Sequence, residues 1–466
     1  GDIVLDVKNA SSTGIGGVTV GANTLIRGAG NAVVGGGALT ATLDNIVSAN
    51  GTGAVSLGAY EDVTLTIGKI TAGGSGTADG RTFYSNALNA TSYTGDINAT
   101  VQTIEATGNF GYGLSLVANA GDVTLTSGAV STTGNGAIGI NATAAAGTVN
   151  ITADTTTTTG NSVYTTVNRA ADAIAVSAGT AMIVNSNVAS TTGLGASAIS
   201  ANGAGSISIT SGTATATGEV ANLNGTLRYA NAISAVSTTG KTIDIVSGVA
   251  RSEGDRSWAI YASGAEAAIN IQSTNASALG DGGRAIYANG GAGVTIHSGT
   301  ASTTGNYLAN TADAILALTY GKKADIDITS GTATTTGTWA RGVYSWTNEG
   351  DIAIDSGVIT TEGLWSQGIL VDQDGNADYA DHFATAGTGA LSIKSGSITT
   401  QGDQSAGIAT DFAGVTTITS GAISTKGWNG YGIVAFGGND VTVDSGTTRP
   451  LTFAPTVWLP SRVCTA

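Results

Sequence analysis

The stretch "ITSGTATTTG", residues 328–337, is nearly repeated as "ITSGTATATG" at residues 209–218. Neither copy carries a side chain that does chemistry by itself, so its recurrence points to architecture first. The shared pattern is apolar, any, Ser, Gly, any, small or branched apolar, any, hydroxyl-rich, any, Gly. It returns as "LTSGAVSTTG" (125–134), "IVSGVARSEG" (245–254), "IHSGTASTTG" (296–305), "IDSGVITTEG" (354–363), "IKSGSITTQG" (393–402) and "ITSGAISTKG" (418–427). Looser copies begin at Ile151, Val184, Ile271 and Val443. Counted from Leu125, successive starts lie 26, 33, 25, 36, 26, 25, 32, 26, 39, 25 and 25 residues apart. Seven of these eleven spacings are 25 or 26, so the unit is about 25 residues and the other four carry insertions.

Each unit has one internal grammar. A short alternating strand such as Val123-Thr124-Leu125-Thr126, often introduced by Gly-Asp, comes first. Ser-Gly then turns the chain into a second strand rich in Thr and Val or Ile. After a Thr-x-Gly comes a third strand around "GI" or "AI", as at Gly139-Ile140, Ala259-Ile260-Tyr261, Ala285-Ile286-Tyr287, Gly368-Ile369 and Gly432-Ile433. Period-two alternation with β-branched residues marks strands, and Gly, Asn and Asp at fixed offsets mark turns. No helical period is sustained over three turns.

Three short strands and three turns in about 25 residues describe one coil of an all-β, single-stranded parallel β-helix, a β-solenoid. Coils stacked roughly 4.8 Å apart pair each strand with its counterpart in the next coil. Ile328, Ile354, Ile393 and Ile418 are expected to point inward. Thr332, Thr334 and Thr336 are expected to form an outward ladder, with Ser330-Gly331 and Gly337 at corners. Regular coils are expected over residues 60–447, irregular or capping coils over 1–59, and a non-repeat tail over 448–466. That tail holds all three prolines and the single cysteine, Cys464.

Composition supports an ordered chain and narrows its partners. Among 466 residues there are 71 Gly and 3 Pro, and 41% are hydrophobic against 11% charged, unlike a disordered chain. A net charge of −15 with only 17 basic residues argues against nucleic acid or an anionic membrane as partner. One cysteine cannot make an internal disulfide, so core packing must supply stability. No apolar run reaches the roughly 20 residues of a membrane-spanning helix.

The iterated Gly-Asp-Val/Ile, Ser-Gly, Thr-Thr-Gly and Gly-Ile over most of 60–447 resemble the passenger regions of bacterial autotransporters and related large surface adhesins. The resemblance implies a right-handed coil, display on the surface of a Gram-negative bacterium outside the outer membrane, and adhesion or self-association. An autotransporter precursor also ends in a membrane β-barrel, and residues 440–466 provide none. A cleaved or truncated passenger, or another export route, is then expected.

In a solenoid, function concentrates where the chain leaves the regular coil. Insertions fall near 161–172, 219–231, 306–313 and 372–386. The first three share a position between Thr-x-Gly and the third strand, and are read either as a partner-contacting face or as tolerated loop growth. Trp339, Trp365 and Trp428 follow the Thr-x-Gly-type glycine by one or two residues and Trp258 by four. Stacked, they are expected to become neighbours on an exposed corner, contacting a sugar or another molecule, or simply covering the core. Asp372, Asp374, Asp378 and Asp381, with His382, could wrap Ca2+, the one cofactor suggested, or form a solvated acidic loop.

No catalytic residue is assigned. The acidic cluster lacks neighbouring Lys or Arg, "GASAI" has no helix to follow it, and His297 sits on an outward strand position. The expected function is a secreted or cell-surface β-helical adhesin or structural passenger. Its partner is expected to be a glycan or protein of a host or neighbouring cell, or copies of itself. A self-assembling surface-layer or filament subunit and a polysaccharide-active enzyme remain as alternatives.

Overall fold

The computed structural model describes residues 2–12, 18–19, 26–27, 33–34, 37–49, 54–74, 76–78, 81–83, 86–165, 168–306, 312–373, 389–437, 439–446 and 448–450. The described residues contain no helix, and the chain divides into two compact units, residues 1–238 and 239–466. In each unit, long strands of mostly 10 or 11 residues stack into one parallel sheet and shorter strands, mostly of 5 to 7 residues, stack into a second. This is a parallel β-helix. In the first unit the long strands run in register through Val63, Ile97, Val123, Val149, Met182 and Ile207. In the second they run through Ile243, Ile269, Val294, Ile326, Ile352, Leu391 and Thr416.

The first two strands expected of each coil form one bent strand. Along Ile326–Thr335, residues 326, 328 and 330 are buried, the phase slips at exposed Gly331 and half-buried Thr332, and 333 and 335 are buried again. Gly331 has no register partner while its neighbours do. Two successive outward residues make the corner, so the chain turns without leaving the sheet. The slip places Ser330, expected at a corner, inside the coil at 3% exposure, and Thr335 faces inward beyond it. Thr332 and Thr334 are half-buried and Thr336 is exposed, as the outward ladder requires.

The grammar now has causes. Inward Thr335 donates its hydroxyl to the Ala340 carbonyl at 3.1 Å, and Thr361 and Thr303 donate likewise to Ser366 at 3.2 Å and Ala312 at 3.0 Å. Each bond satisfies a carbonyl buried beyond the turn. The glycine of Thr-x-Gly stacks on its counterpart so closely that a Cβ at Gly337 would lie 1.9 Å from the Gly305 carbonyl oxygen. The Asp just before the long strand, usually in Gly-Asp but following Glu61 at Asp62 and Ala324 at Asp325, accepts the backbone N–H of the equivalent residue one coil on: Asp62 from Asp96 at 2.9 Å, Asp96 from Asp122 at 2.8 Å, Asp325 from Asp351 at 2.8 Å. The residue after Thr-x-Gly repeats the device, as Asn109 accepts from Asn135 and Asn135 from Asn161, both at 2.9 Å.

The core is the Ile, Leu, Val and Ala filling of the coils. Ile328, Ile354, Ile393 and Ile418 are each no more than 2% exposed, and each such side chain contributes about 1.5–3 kcal/mol of burial. Residues 1–59, read as irregular or capping coils, include Leu39–Ser48, which pairs in the same bent register with Ile3–Ser12 on one side and with Val63–Ala72 on the other. Of the tail, Thr448–Pro450 pairs with Ile423–Thr425, and residues 451–466, Cys464 included, lie outside the described residues.

Candidate functional site

Two features of the second unit depart from the bland repeat. The first is the corner after Thr-x-Gly. Its second residue takes a positive φ in coil after coil: Phe110, Gly136 and Gly195 in the first unit, Arg256, Gly282, Trp339, Trp365, Gln404 and Asn429 in the second. Trp339 and Trp365 hold φ of 59° and 60°, and their backbones are one rung apart, Trp339 N–H donating to the Leu364 carbonyl at 2.8 Å. Their indoles stack at 5.1 Å between centroids and 6° between planes, and Trp339 is 41% exposed.

The four tryptophans expected on one corner therefore separate. Trp428, 64% exposed, sits one position earlier in the turn than Trp365, because it is Asn429 that takes the positive φ of that coil. Its N–H donates to Asp403 Oδ1 at 2.6 Å, so its backbone follows the Asn/Asp ladder. Trp258 is not on this corner at all. It begins the short strand Trp258–Gly264, in register with Arg284.

The second feature is the outward face of those short strands. Trp258, Tyr261 and Tyr287 make a three-ring stack with centroid distances of 4.7, 5.6 and 5.1 Å. Arg284 lies 5.3 Å from the Tyr287 ring and Arg341 lies 4.1 Å from the Tyr344 ring. Between the two arginines in register is Asp313, fully buried, which accepts from Arg341 Nε at 2.6 Å and Nη2 at 3.2 Å and from Arg284 Nε at 3.3 Å. Burial pulls the Arg284 guanidinium below its ordinary value while Asp313 opposes the shift. Burial likewise pushes the Tyr344 phenol up to about 12, with Arg341 opposing. Farther along, Tyr344 packs on buried Leu370, Ala406 and Ala409, and Tyr320 meets Trp346 at 4.7 Å.

This face had a signal in the sequence. Third strands read x-Ala/Gly-Ile/Val-x, and the two outer positions are Trp258/Tyr261, Arg284/Tyr287, Asp313/Leu316, Arg341/Tyr344 and Gln367/Leu370 in the second unit. Reading only the inward Ile of each tetrapeptide passes over its neighbours.

The insertions of the first unit are hairpins. Val163–Tyr164 pairs antiparallel with Asn168–Arg169, and Ala221–Leu223 with Thr226–Arg228 around Asn224-Gly225, both at positive φ. Arg228 reaches from the second hairpin to Asp172 and, at 2.8 Å, to the Gly195 carbonyl, pinning the loop to the coil. Of the insertion at 306–313, residues 307–311 lie outside the described residues.

Of the acidic loop, Asp374, Asp378, Asp381 and His382 also lie outside the described residues. Asp372 is 3% exposed in the strand Ile369–Asp372 and pairs in register with Asp411. Among the described residues no group of three or more His, Cys, Asp or Glu side chains is placed to hold a metal ion, and no helix is long and apolar enough to cross a membrane. No protein-family model, curated protein or solved structure matches this chain.

Proposed function

We propose that the chain is a secreted, surface-displayed β-helical adhesin that meets its partner through the Trp339–Trp365 corner. The observation that carries this reading is the pair of indoles, Trp339 and Trp365, stacked at 5.1 Å on successive rungs with Trp339 open to solvent. The same turn holds its positive φ with Gly136, Gly195 or Gly282 and equally with Phe110, Arg256, Gln404 or Asn429, so the backbone does not require tryptophan there. A stacked aromatic pair that is partly open to solvent supports a role in contact. The repeating coil acts as a stiff support, and its acidic surface disfavours anionic membranes and nucleic acid.

The test is adhesion. Beads coated with the protein should bind target cells or an arrayed set of glycans and surface proteins. The W339G/W365G double variant should keep its thermal unfolding midpoint and lose at least tenfold in binding. Unchanged binding by a folded double variant overturns the reading, and ordered lattices or filaments of the isolated protein in electron micrographs would replace it with self-assembly.

A further inference from the structure

We propose that the outward face of the short strands in the second unit is a separate binding site for a neutral, extended β-linked glycan lying along the coil axis. The site is the Trp258, Tyr261 and Tyr287 stack together with Ser263 and Asn289. It does not rest on the Trp339–Trp365 reading, since it lies on a different segment of the coil.

Three observations carry it. The rings are half-buried, and each gives part of a face to its neighbour at 4.7 to 5.6 Å while the strand pattern keeps it on the outward side. Half-buried Ser263 and Asn289 stand two residues beyond the tyrosines on the same outward side, in register with each other, and the Asn289 amide lies 3.4 Å from the Tyr287 hydroxyl. Apolar ring surface beside hydroxyl and amide groups matches a pyranose, which has apolar C–H faces and a rim of hydroxyls. The cation that lies against the Tyr287 ring, Arg284, is paired with Asp313. A polyanionic glycan is repelled by a chain of net charge −15.

Periodicity supplies the orientation. Equivalent groups recur once per coil, at the strand spacing of about 4.8 Å. An extended β-linked glycan advances by a closely similar step per sugar, so successive sugars meet successive rungs, Tyr261 with Ser263 and then Tyr287 with Asn289. Burial pushes the Tyr287 hydroxyl up from its ordinary value, which keeps its proton in place as a donor at neutral pH.

The equivalent positions of the first unit indicate the variant to use. Ser200 and Ser234 occupy the tyrosine positions there, so Y261S/Y287S replaces the rings with residues the same coil already accepts. Affinity electrophoresis through gels containing soluble mixed-linkage β-glucan or xylan should retard the wild-type protein. Gels containing polygalacturonate or alginate should not. Y261S/Y287S should lose at least tenfold in affinity, Y261F/Y287F should lose a smaller part, and W339G/W365G should be retarded as wild type. The proposal is overturned if no neutral β-glycan retards the wild-type protein, if the polyanions retard it more, or if a folded Y261S/Y287S variant is retarded undiminished. Loss of adhesion in W339G/W365G with β-glycan retardation intact separates the two sites.

Discussion

The short strands of the two units share one backbone and differ in what they show to the outside. In the first unit the outer positions of the x-Ala-Ile-x tetrapeptides are Asp172/Ala175, Ser197/Ser200 and Asn231/Ser234. In the second they are Trp258/Tyr261, Arg284/Tyr287 and Asp313/Leu316. The central Ile or Val is buried throughout, at Ile174, Ile199 and Ile233 as at Ile260, Ile286, Ile315 and Val343. The central positions are constrained by stacking, whereas the flanking ones, though buried at Asp172, Ser197, Asn231, Arg284, Asp313 and Arg341, change chemistry from coil to coil. A solenoid can therefore carry a binding surface on one stretch without altering the coil that supports it.

The largest test of that contrast is its buried charge. Asp313→Ala leaves Arg284 and Arg341, each with a side chain only 9% exposed, without their carboxylate, and should cost about 3–5 kcal/mol in urea unfolding. Asp172→Ala in the first unit should cost less, roughly 1–3 kcal/mol, because Arg228 keeps 31% of its side chain in contact with solvent. Equal losses would break the distinction between a buried triad and a loop pin.

Alkaline pH probes the same face. With the Tyr344 phenol pushed up to about 12 by burial, folding favours the neutral form. The stability that burial contributes is fully present below the ordinary tyrosine value near 10 and is lost as pH rises through about 12. Absorbance titration should show a late phenol, absent in Tyr344→Phe, whose unfolding midpoint should fall less between pH 10 and 12.

Grafting sharpens the comparison. Ser200 and Ser234 are in register on adjacent coils as Tyr261 and Tyr287 are, so S200Y/S234Y should fold and gain about 0.5–1.5 kcal/mol from a new stack. A double-mutant cycle measures the coupling, and no coupling would mean that the coil does not by itself set the rings face to face. The smallest effect should be common to both units. Ser211 and Ser298 bury hydroxyls with no hydrogen-bond partner, so S211A and S298A should each be neutral or stabilising by up to about 1 kcal/mol. A loss in one unit only would show that the interiors differ as well.

Much of the fold was legible because stacking imposes a repeat that a sequence cannot hide. The period, the inward Ile columns and the positions of the insertions follow from spacing alone. Ser330 was read as a corner residue and lies inside the coil, because the turn falls one residue later, where Gly331 and Thr332 face out in succession. The site was less legible. Trp339 and Trp365 were singled out together and do meet, but Trp258 was grouped with them by distance from a glycine, although its hydrogen-bond register ties it to Arg284.

By itself the sequence determined the coil: its length, its core, its glycine corners and its acidic, cysteine-poor character. Those are local or periodic properties, repeated often enough to be read without coordinates. Only the tertiary structure decided which side chains become neighbours. Asp313 meets Arg284 and Arg341 across 29 and 28 residues, and Tyr261 meets Tyr287 across 26. Loops of different length intervene, so adjacency is set by the rung to which each strand bonds and by no fixed count along the chain.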